Sequence, residues 1–425
     1  MPQPLRPSPP PQPQSHRLGP RPFGLHLMMG LSASLSLPFV SPSLKNALPS
    51  LNPANSAAQA KLAALLQSQN SPAFDAALMV ESVNRAHAFL KGVQTYRHHP
   101  ARRDVPEAPV IWSEGTTKLR DYNPFMAHAP VVLVIPSLIN RYTILDLDIA
   151  PSFLHTLAAA GFRPLVVDWD EPGNVEENFA LDDYVKRLVG IVDWLCDHHD
   201  SSRAKPSPDL QPPTSSLHLL GYCMGGLLAL ALATLKPERM ATLTLMATPW
   251  DFHQPDAATG QLLAEITEPL AAASPMPVDM LQYLFALLQP FQALTKFVDF
   301  AALDPASMEA RHFVLLEDWL NDGVPLPAKV AETCWRGWYG DNLTAQFAWC
   351  IGGQIIDPRA LPMPSYVVVP GRDRIVPPES ALPLGKLLPH ASLHEPMTGH
   401  IGMMASRQAS QQVWKPFLRW LGEHA

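Results

Sequence analysis

Charge is scarce in this chain. Asp, Glu, Lys and Arg make up 16% of its 425 residues, against roughly 25% in an ordinary soluble domain. The 31 basic and 38 acidic residues leave a formal net charge of −7. No basic stripe stands out, so nucleic acid is not an expected partner. Cysteine is scarce as well. The four cysteines stand at 196, 223, 334 and 350 with no CxxC pair among them, which argues against a zinc site and against a disulfide framework. A reducing cytoplasm is the natural setting, and no metal or cofactor is expected. No apolar run has the length of a membrane span.

Proline, in contrast, is plentiful: 47 residues, many of them in MPQPLRPSPPPQPQSHRLGPRP at 1–22. Such a run favours polyproline II and builds no core. Residues 1–55 are therefore expected to form a disordered, Pro-rich tail. The apolar stretch FGLHLMMGLSASLSLPFV at 23–40 follows Arg21 and would suit an export signal. Its Pro38, its late position and the lack of an A-x-A-like cleavage site tell against that reading.

Past the tail, apolar residues recur at three- and four-residue steps over 57–97, with a break near Asn70-Ser71-Pro72. This pattern predicts an N-terminal helical segment over 56–105. An alternation of strands and helices follows. VVLVIP at 131–136 reads as a buried parallel strand, RPLVVDW at 163–169 as the next, and LHLLGY, LTLMAT, YVVVPG and SLHEP as later ones. Helices are expected over 144–160, 181–198, 224–235 and 407–421, and a Pro/Ser-rich loop over 201–216. Strands alternating with helices imply an α/β protein with a mainly parallel sheet and helices on both faces. Residues 251–352 break the rhythm with aromatic, apolar runs such as LQYLFALLQPFQALTKFVDF. They are read as a helical cap inserted into a core formed by 106–250 and 353–425, further core helices being the plainer alternative.

The segment with most chemistry is Gly221-Tyr222-Cys223-Met224-Gly225-Gly226. It lies between an expected strand and an expected helix, the context of a nucleophile elbow in an α/β-hydrolase fold. Glycines at 221 and 225 allow strand and helix backbones to pass close together. The turn would lift Cys223 above the sheet, over a helix N-terminus that favours a thiolate. The Met224 amide would then point at a developing oxyanion. A buried cysteine beside a glycine turn is the plain alternative. The partners of an elbow nucleophile follow it in the order acid, histidine. Asp373 in GRDRIVPP and His400 in TGHIG stand in that order, each just past an expected strand. Asp373 could otherwise be a turn aspartate and His400 a loop histidine. His394 is a rival base but lies within an expected strand. His198 and His199 end a helix and look like partners for its C-terminal dipole. A second oxyanion donor would come from the loop after 131–136, as the amide of Leu138 or Ile139.

With these residues in place, the chain resembles the polyhydroxyalkanoate synthases, most closely the short type that works with a second subunit. The resemblance spans roughly 85–415. It is carried by GVQTYRHHP at 92–100, PSLINRYTILDL at 136–147, DWDEP at 168–172, LDDYV at 181–185, GYCMGG at 221–226, ATPWDF at 247–252, RDRIVPP at 372–378 and GHIGMM at 399–404. It implies a catalytic triad of Cys223, Asp373 and His400. It also implies polymerisation of 3-hydroxyacyl-coenzyme A, such as 3-hydroxybutyryl-CoA, into a polyester with release of CoA. The expected partners are that thioester, the growing chain or a granule surface, a second synthase subunit and a second copy of the chain. The Pro-rich tail and FVLLEDWLNDGVPLP at 313–327 depart from the family pattern, which leaves substrate range and partner need open. The rival activities are a cysteine thioesterase or an intracellular polyester depolymerase on the same fold. A granule-binding accessory chain without catalysis is a third reading.

Overall fold

The computed structural model describes residues 17, 19–39, 56–68, 71–148, 152–200, 217–271, 275–288 and 292–425. The chain divides into two compact units, 1–102 with 289–321, and 103–288 with 322–425. The expected loop at 201–216 and the side chains of His198 and His199 lie outside the described residues. Among the described residues, no helix is long and apolar enough to cross a membrane.

The first unit is helical. Its described elements include Phe23–Leu35, Ser56–Ser68, Pro72–His98, Gln292–Ala301 and Met308–Asn321. Ser71 caps Pro72–His98 by accepting from the Phe74 amide at 3.2 Å, and Pro72 occupies the first turn, where no amide is needed. Phe89, Val93, Tyr96, Phe297, Phe300, Ala310 and Val314 form its core. Gly92 is obligatory there, because a Cβ would collide with the carbonyl of Phe297. The expected tail is corrected in part: Phe23–Leu35 is a helix, and its Gly30 lies so close to the Phe89 ring that no side chain would fit. The chain before it is anchored by Arg17, whose Nε meets Asp318 Oδ1 at 2.6 Å. The proline run thus gives way to packed structure well before residue 55. The interval expected as one cap also divides, since 289–321 belongs to this unit and the remainder to the other.

The second unit is built on an eight-stranded sheet. Its strands, with the two of a separate hairpin, are β1 Val110–Glu114, β2 Thr117–Asp121, β3 Val131–Ile135, β4 Arg163–Asp168, β5 Leu217–Tyr222, β6 Met240–Met246, β7 Cys350–Ile351, β8 Gln354–Ile355, β9 Ser365–Val368 and β10 Ala391–His394. The sheet order is β1-β2-β4-β3-β5-β6-β9-β10, while β7 and β8 pair only with each other. β1 and β2 pair antiparallel with each other and β2 with β4, and every other neighbour pair in the sheet is parallel. The sequence reading missed the β1–β2 hairpin. Each residue of β3 and of β5 is buried, as a strand covered on both faces requires. β9 shows the two faces directly. Tyr366 meets Phe417 and Trp420 of the helix Lys415–Gly422 at 5.9 and 5.0 Å. Its neighbour Val367, pointing the other way, joins the core that contains Leu384 and Leu388.

This is the α/β-hydrolase architecture, as expected. One helix differs from its expected form: 144–160 is a 3-10 turn, Tyr142–Asp146, and a separate helix, Phe153–Ala159. Strand register does the work of placing the site. Tyr222 pairs with Met246, Met246 with Val368 and Val368 with His394. The carboxyl ends of four parallel strands therefore finish on one line, and the loops that leave them open on the same edge.

Candidate active site

Cys223 follows the last residue of β5 and precedes the helix Met224–Leu235. Its backbone has φ 56° and ψ −129°, a region sparsely populated by residues with a side chain and costing of order 1–3 kcal/mol. The surroundings enforce it. The Cys223 amide donates to the Met246 carbonyl at 2.9 Å, and the Cys223 carbonyl accepts from the Gly226 amide at 2.9 Å. A Cβ on Gly221 would collide with the backbone of Gly226, and one on Gly225 with the Ile135 carbonyl at the end of β3. Glycine at 221 lets the helix start close against β5, and glycine at 225 lets it pack against the end of β3. Cys223 itself is half-buried. Of the four cysteines, Cys196 and Cys334 are buried, Cys350 is exposed, and all are free thiols.

Asp373 and His400 arrive from the loops after β9 and β10. The two loops run side by side: the Gly371 amide donates to Pro396 and the Arg372 amide to Thr398, both at 2.9 Å. Asp373 is buried and has both oxygens occupied. Oδ1 accepts from the amides of Ile375 and Val376 at 2.9 Å each, and Oδ2 lies 2.7 Å from His400 Nδ1. That contact directs His400 Nε2 away from the acid. The Cys223 side chain is among the groups that act on the imidazole. Burial alone would push the imidazole pKa down. The negative charges of Cys223 and Asp373, with the hydrogen bond to Asp373, outweigh burial and lift it to about 10. The imidazolium form is therefore the favoured one beside the sulphur. Sequence order and strand position brought these three residues together on paper, and the fold brings them together in space.

The expected oxyanion donors lie on the elbow and on the loop after β3. Met224 begins its helix, where an amide has no acceptor within the helix. Of the two donors expected from the β3 loop, the Ile139 amide is committed to Ser137 Oγ at 3.1 Å. That leaves Leu138 as the expected second donor. The loop is tied down by Val324, whose amide donates to the Ile139 carbonyl at 2.8 Å, and by Arg141. The Arg141 guanidinium reaches Asp170 at 3.1 Å, Glu171 at 2.8 Å and Asp322 at 2.9 Å. Arg141 and DWDEP thus form one clamp across the exits of β3 and β4. His394 is in β10 as expected, with Nε2 committed to the Gln412 carbonyl at 2.6 Å.

Two contributors were not singled out from sequence. The amides of Ile375 and Val376 fix the acid, and RDRIVPP gives no hint of that because amides carry no residue signature. Tyr222 sits inside the elbow motif itself, and its hydroxyl donates to the His400 carbonyl at 3.1 Å. A cavity of about 210 Å3 opens beside the acid loop. Its walls include Phe252, Leu263, Tyr339 and the same Ile375 and Val376. Burial, the largest cause, raises the Tyr339 pKa.

A family model described as alpha/beta hydrolase fold matches residues 213–405. That range contains the elbow, the acid and the histidine. Among curated proteins, the "Poly(3-hydroxyalkanoate) polymerase subunit PhaC" of Haloferax mediterranei is 30% identical over 306 residues, 69% of this chain and 59% of that protein. Proteins of the same name from Haloarcula marismortui and a Synechocystis species are 27% and 26% identical, over 76% and 81% of this chain and 69% and 92% of their own. The chain is similar to poly(3-hydroxyalkanoate) polymerase subunits over most of its length. It spans less than two thirds of the Haloferax member and nearly the whole of the Synechocystis one. In this chain Cys223 stands where the elbow of the wider fold carries its attacking residue.

Proposed function

We propose that this chain is an acyltransferase that polymerises 3-hydroxyacyl groups from coenzyme A thioesters, with 3-hydroxybutyryl-CoA as the first substrate to test. The observation that carries the proposal is the Cys223–His400–Asp373 array in a chain whose curated relatives are named as polymerases. In the first half-reaction Cys223 Sγ attacks the thioester carbonyl as a thiolate, its proton being held by His400. The oxyanion is received by the amides of Met224 and Leu138. As the tetrahedral adduct collapses, the C–S bond to coenzyme A breaks and His400 returns the proton to the departing thiolate. In the second, the 3-hydroxyl of the acceptor gives its proton to His400 and attacks the acyl-Cys223 carbonyl. A C–O ester bond forms, the C–S bond to Cys223 breaks, and the chain is longer by one unit.

Sulphur suits this cycle. Exchange of one thioester for another is nearly balanced in energy, and transfer from thioester to oxygen ester runs downhill. Each acyl-enzyme is then loaded easily and discharged easily. Polymerisation outruns hydrolysis only if water is kept away, and the burial of Asp373 and His400 supports that. The apolar walls of the neighbouring cavity suit the hydrocarbon part of an acyl unit. The relatives are named as subunits, which supports a partner chain here too.

The test is incubation with 3-hydroxybutyryl-CoA, with and without a partner subunit, reading free CoA and polymer together. Release of CoA with polymer is the expected result, and Cys223→Ala should abolish both. Free 3-hydroxybutyrate in place of polymer would turn the reading to a thioesterase. Undiminished CoA release from Cys223→Ala would sink the nucleophile assignment.

A further inference from the structure

Tyr222 occupies an unusual place: it is the residue before the nucleophile and it touches the base. Its backbone is held in β5, paired with Met246 of β6. Its side chain crosses to the loop after β10, where the hydroxyl donates to the His400 carbonyl at 3.1 Å. The two rings face each other with centroids 5.3 Å apart and planes inclined by 31°. The carbonyls on either side of His400 are served locally. Gly399 accepts from the Met403 amide at 3.0 Å, and Ile401 from those of Met404 and Ala405 at 3.0 and 2.9 Å. The His400 carbonyl instead receives its donor from Tyr222, on a strand far away in sequence.

We propose that Tyr222 is a positioning residue: it sets the plane and depth of the His400 imidazole relative to Cys223 through one hydrogen bond and one ring contact. The chemistry requires such a device. Asp373 fixes the ring at Nδ1, while the backbone that carries the ring needs an anchor of its own. Tyr222 supplies a second fixed point on the backbone and a surface against the ring. Because Tyr222 and Cys223 are neighbours in one chain segment, nucleophile and base are referenced to the same rigid strand end. A misplacement of about 1 Å at such a contact can cost on the order of a hundred-fold in rate. Tyr222 is itself buried, and burial, followed by the charges of Cys223 and Asp373, keeps its hydroxyl protonated and so a lasting donor. The groups facing His400 are accordingly Tyr222, Cys223 and Asp373.

This inference rests on the triad reading, and its test separates the two. Tyr222→Phe keeps the ring and removes the hydroxyl. Reactivity of Cys223 towards iodoacetamide at neutral pH reports the thiolate that His400 sustains, independently of any polymerase substrate. Tyr222→Phe is expected to lower it about five- to ten-fold, the scale of one lost hydrogen bond. At alkaline pH, where a free thiol ionises unaided, native and variant rates should converge. With an acyl-CoA substrate kcat should fall by a like factor while KM holds, and the melting temperature should move little. Native reactivity and kcat in a folded Tyr222→Phe chain overturn the proposal, as does an equal loss at neutral and alkaline pH. If that variant does not fold, Tyr222→Leu is read by the same alkylation profile with the same two outcomes. Should the native chain react with iodoacetamide at Cys223 yet turn over no thioester, the proposed activity fails and the positioning role stands.

Discussion

His218 lies within β5 with its imidazole buried and Nδ1 2.9 Å from the Thr242 hydroxyl. Burial, with a smaller contribution from the charge of His424, pushes its pKa down to about 4. The sign follows from linkage. A folded value below the free value of 6.5 means that the unfolded chain binds the proton more readily. The stabilisation is complete above about pH 6.5 and is lost as pH falls towards about 4, by roughly 3 kcal/mol in all. His218→Leu removes that titration. Urea unfolding of the native chain should weaken over this window more steeply than that of the variant, and parallel curves would show that His218 is not the group responsible. His400 runs the other way. Its raised value contributes stability that is whole below about pH 6.5 and fades as pH rises towards about 10. Two buried histidines in one unit thus oppose each other, one kept neutral by burial and the other kept charged by its partners.

At the scale of elements, the clamp between the exits of β3 and β4 carries a distinct expectation. Arg141 meets three carboxylates in different directions, a geometry that the point charge of lysine does not reproduce. Arg141→Lys should therefore loosen the loop that presents Leu138. A several-fold loss in kcat is expected, with little change in the melting temperature, because the clamp is partly exposed and surface pairs of this kind contribute about 1 kcal/mol or less. A kcat equal to that of the native chain would separate the clamp from the oxyanion loop.

The same elements show what a sequence can and cannot disclose. β3 and β5 were legible because their residues are almost all apolar, His218 excepted, and the elbow because glycine is the only residue that fits at 221 and 225. The β1–β2 hairpin escaped notice because Thr117–Asp121 contains Lys118, Arg120 and Asp121, which pattern reading assigns to solvent. Arg120 and Asp121 are in fact buried. They are tolerated there because Arg120 pairs with Asp168 at 2.7 Å and Arg163 with Asp121 at 2.7 Å. Those partners come from β4, and no local pattern anticipates them. The helix Phe23–Leu35 was missed for a related reason: its contact, Phe89, lies far along the chain.

At the scale of the whole molecule, the two units have separate cores. Arg17 is central to the first. Besides Asp318, it donates to the carbonyls of Tyr96, His99 and Ala101, and Asp318 also accepts from the Tyr96 hydroxyl at 2.9 Å. One guanidinium thereby closes the C-terminal end of the helix Pro72–His98. Arg17→Met keeps much of the bulk and strips these bonds from a buried guanidinium, at a cost of about 2 kcal/mol. Hydrogen exchange should speed up in 72–98 while the amides of β3, β5 and β6 keep their protection. Equal loss of protection in both units would mean that the chain unfolds as one cooperative body.

The turn at residue 223 has one more consequence. Its backbone geometry is imposed by neighbours on both sides and persists whatever side chain stands there. Glycine is the one residue at ease in that geometry. Within a helix, exchanging alanine for glycine usually weakens a protein. At this position the order should invert, with Cys223→Gly melting at a higher temperature than Cys223→Ala, and higher than the native chain. Loss of chemistry and gain of durability would then arise from the same substitution. Selection for a working enzyme holds this fold below the stability that its own sequence could otherwise reach.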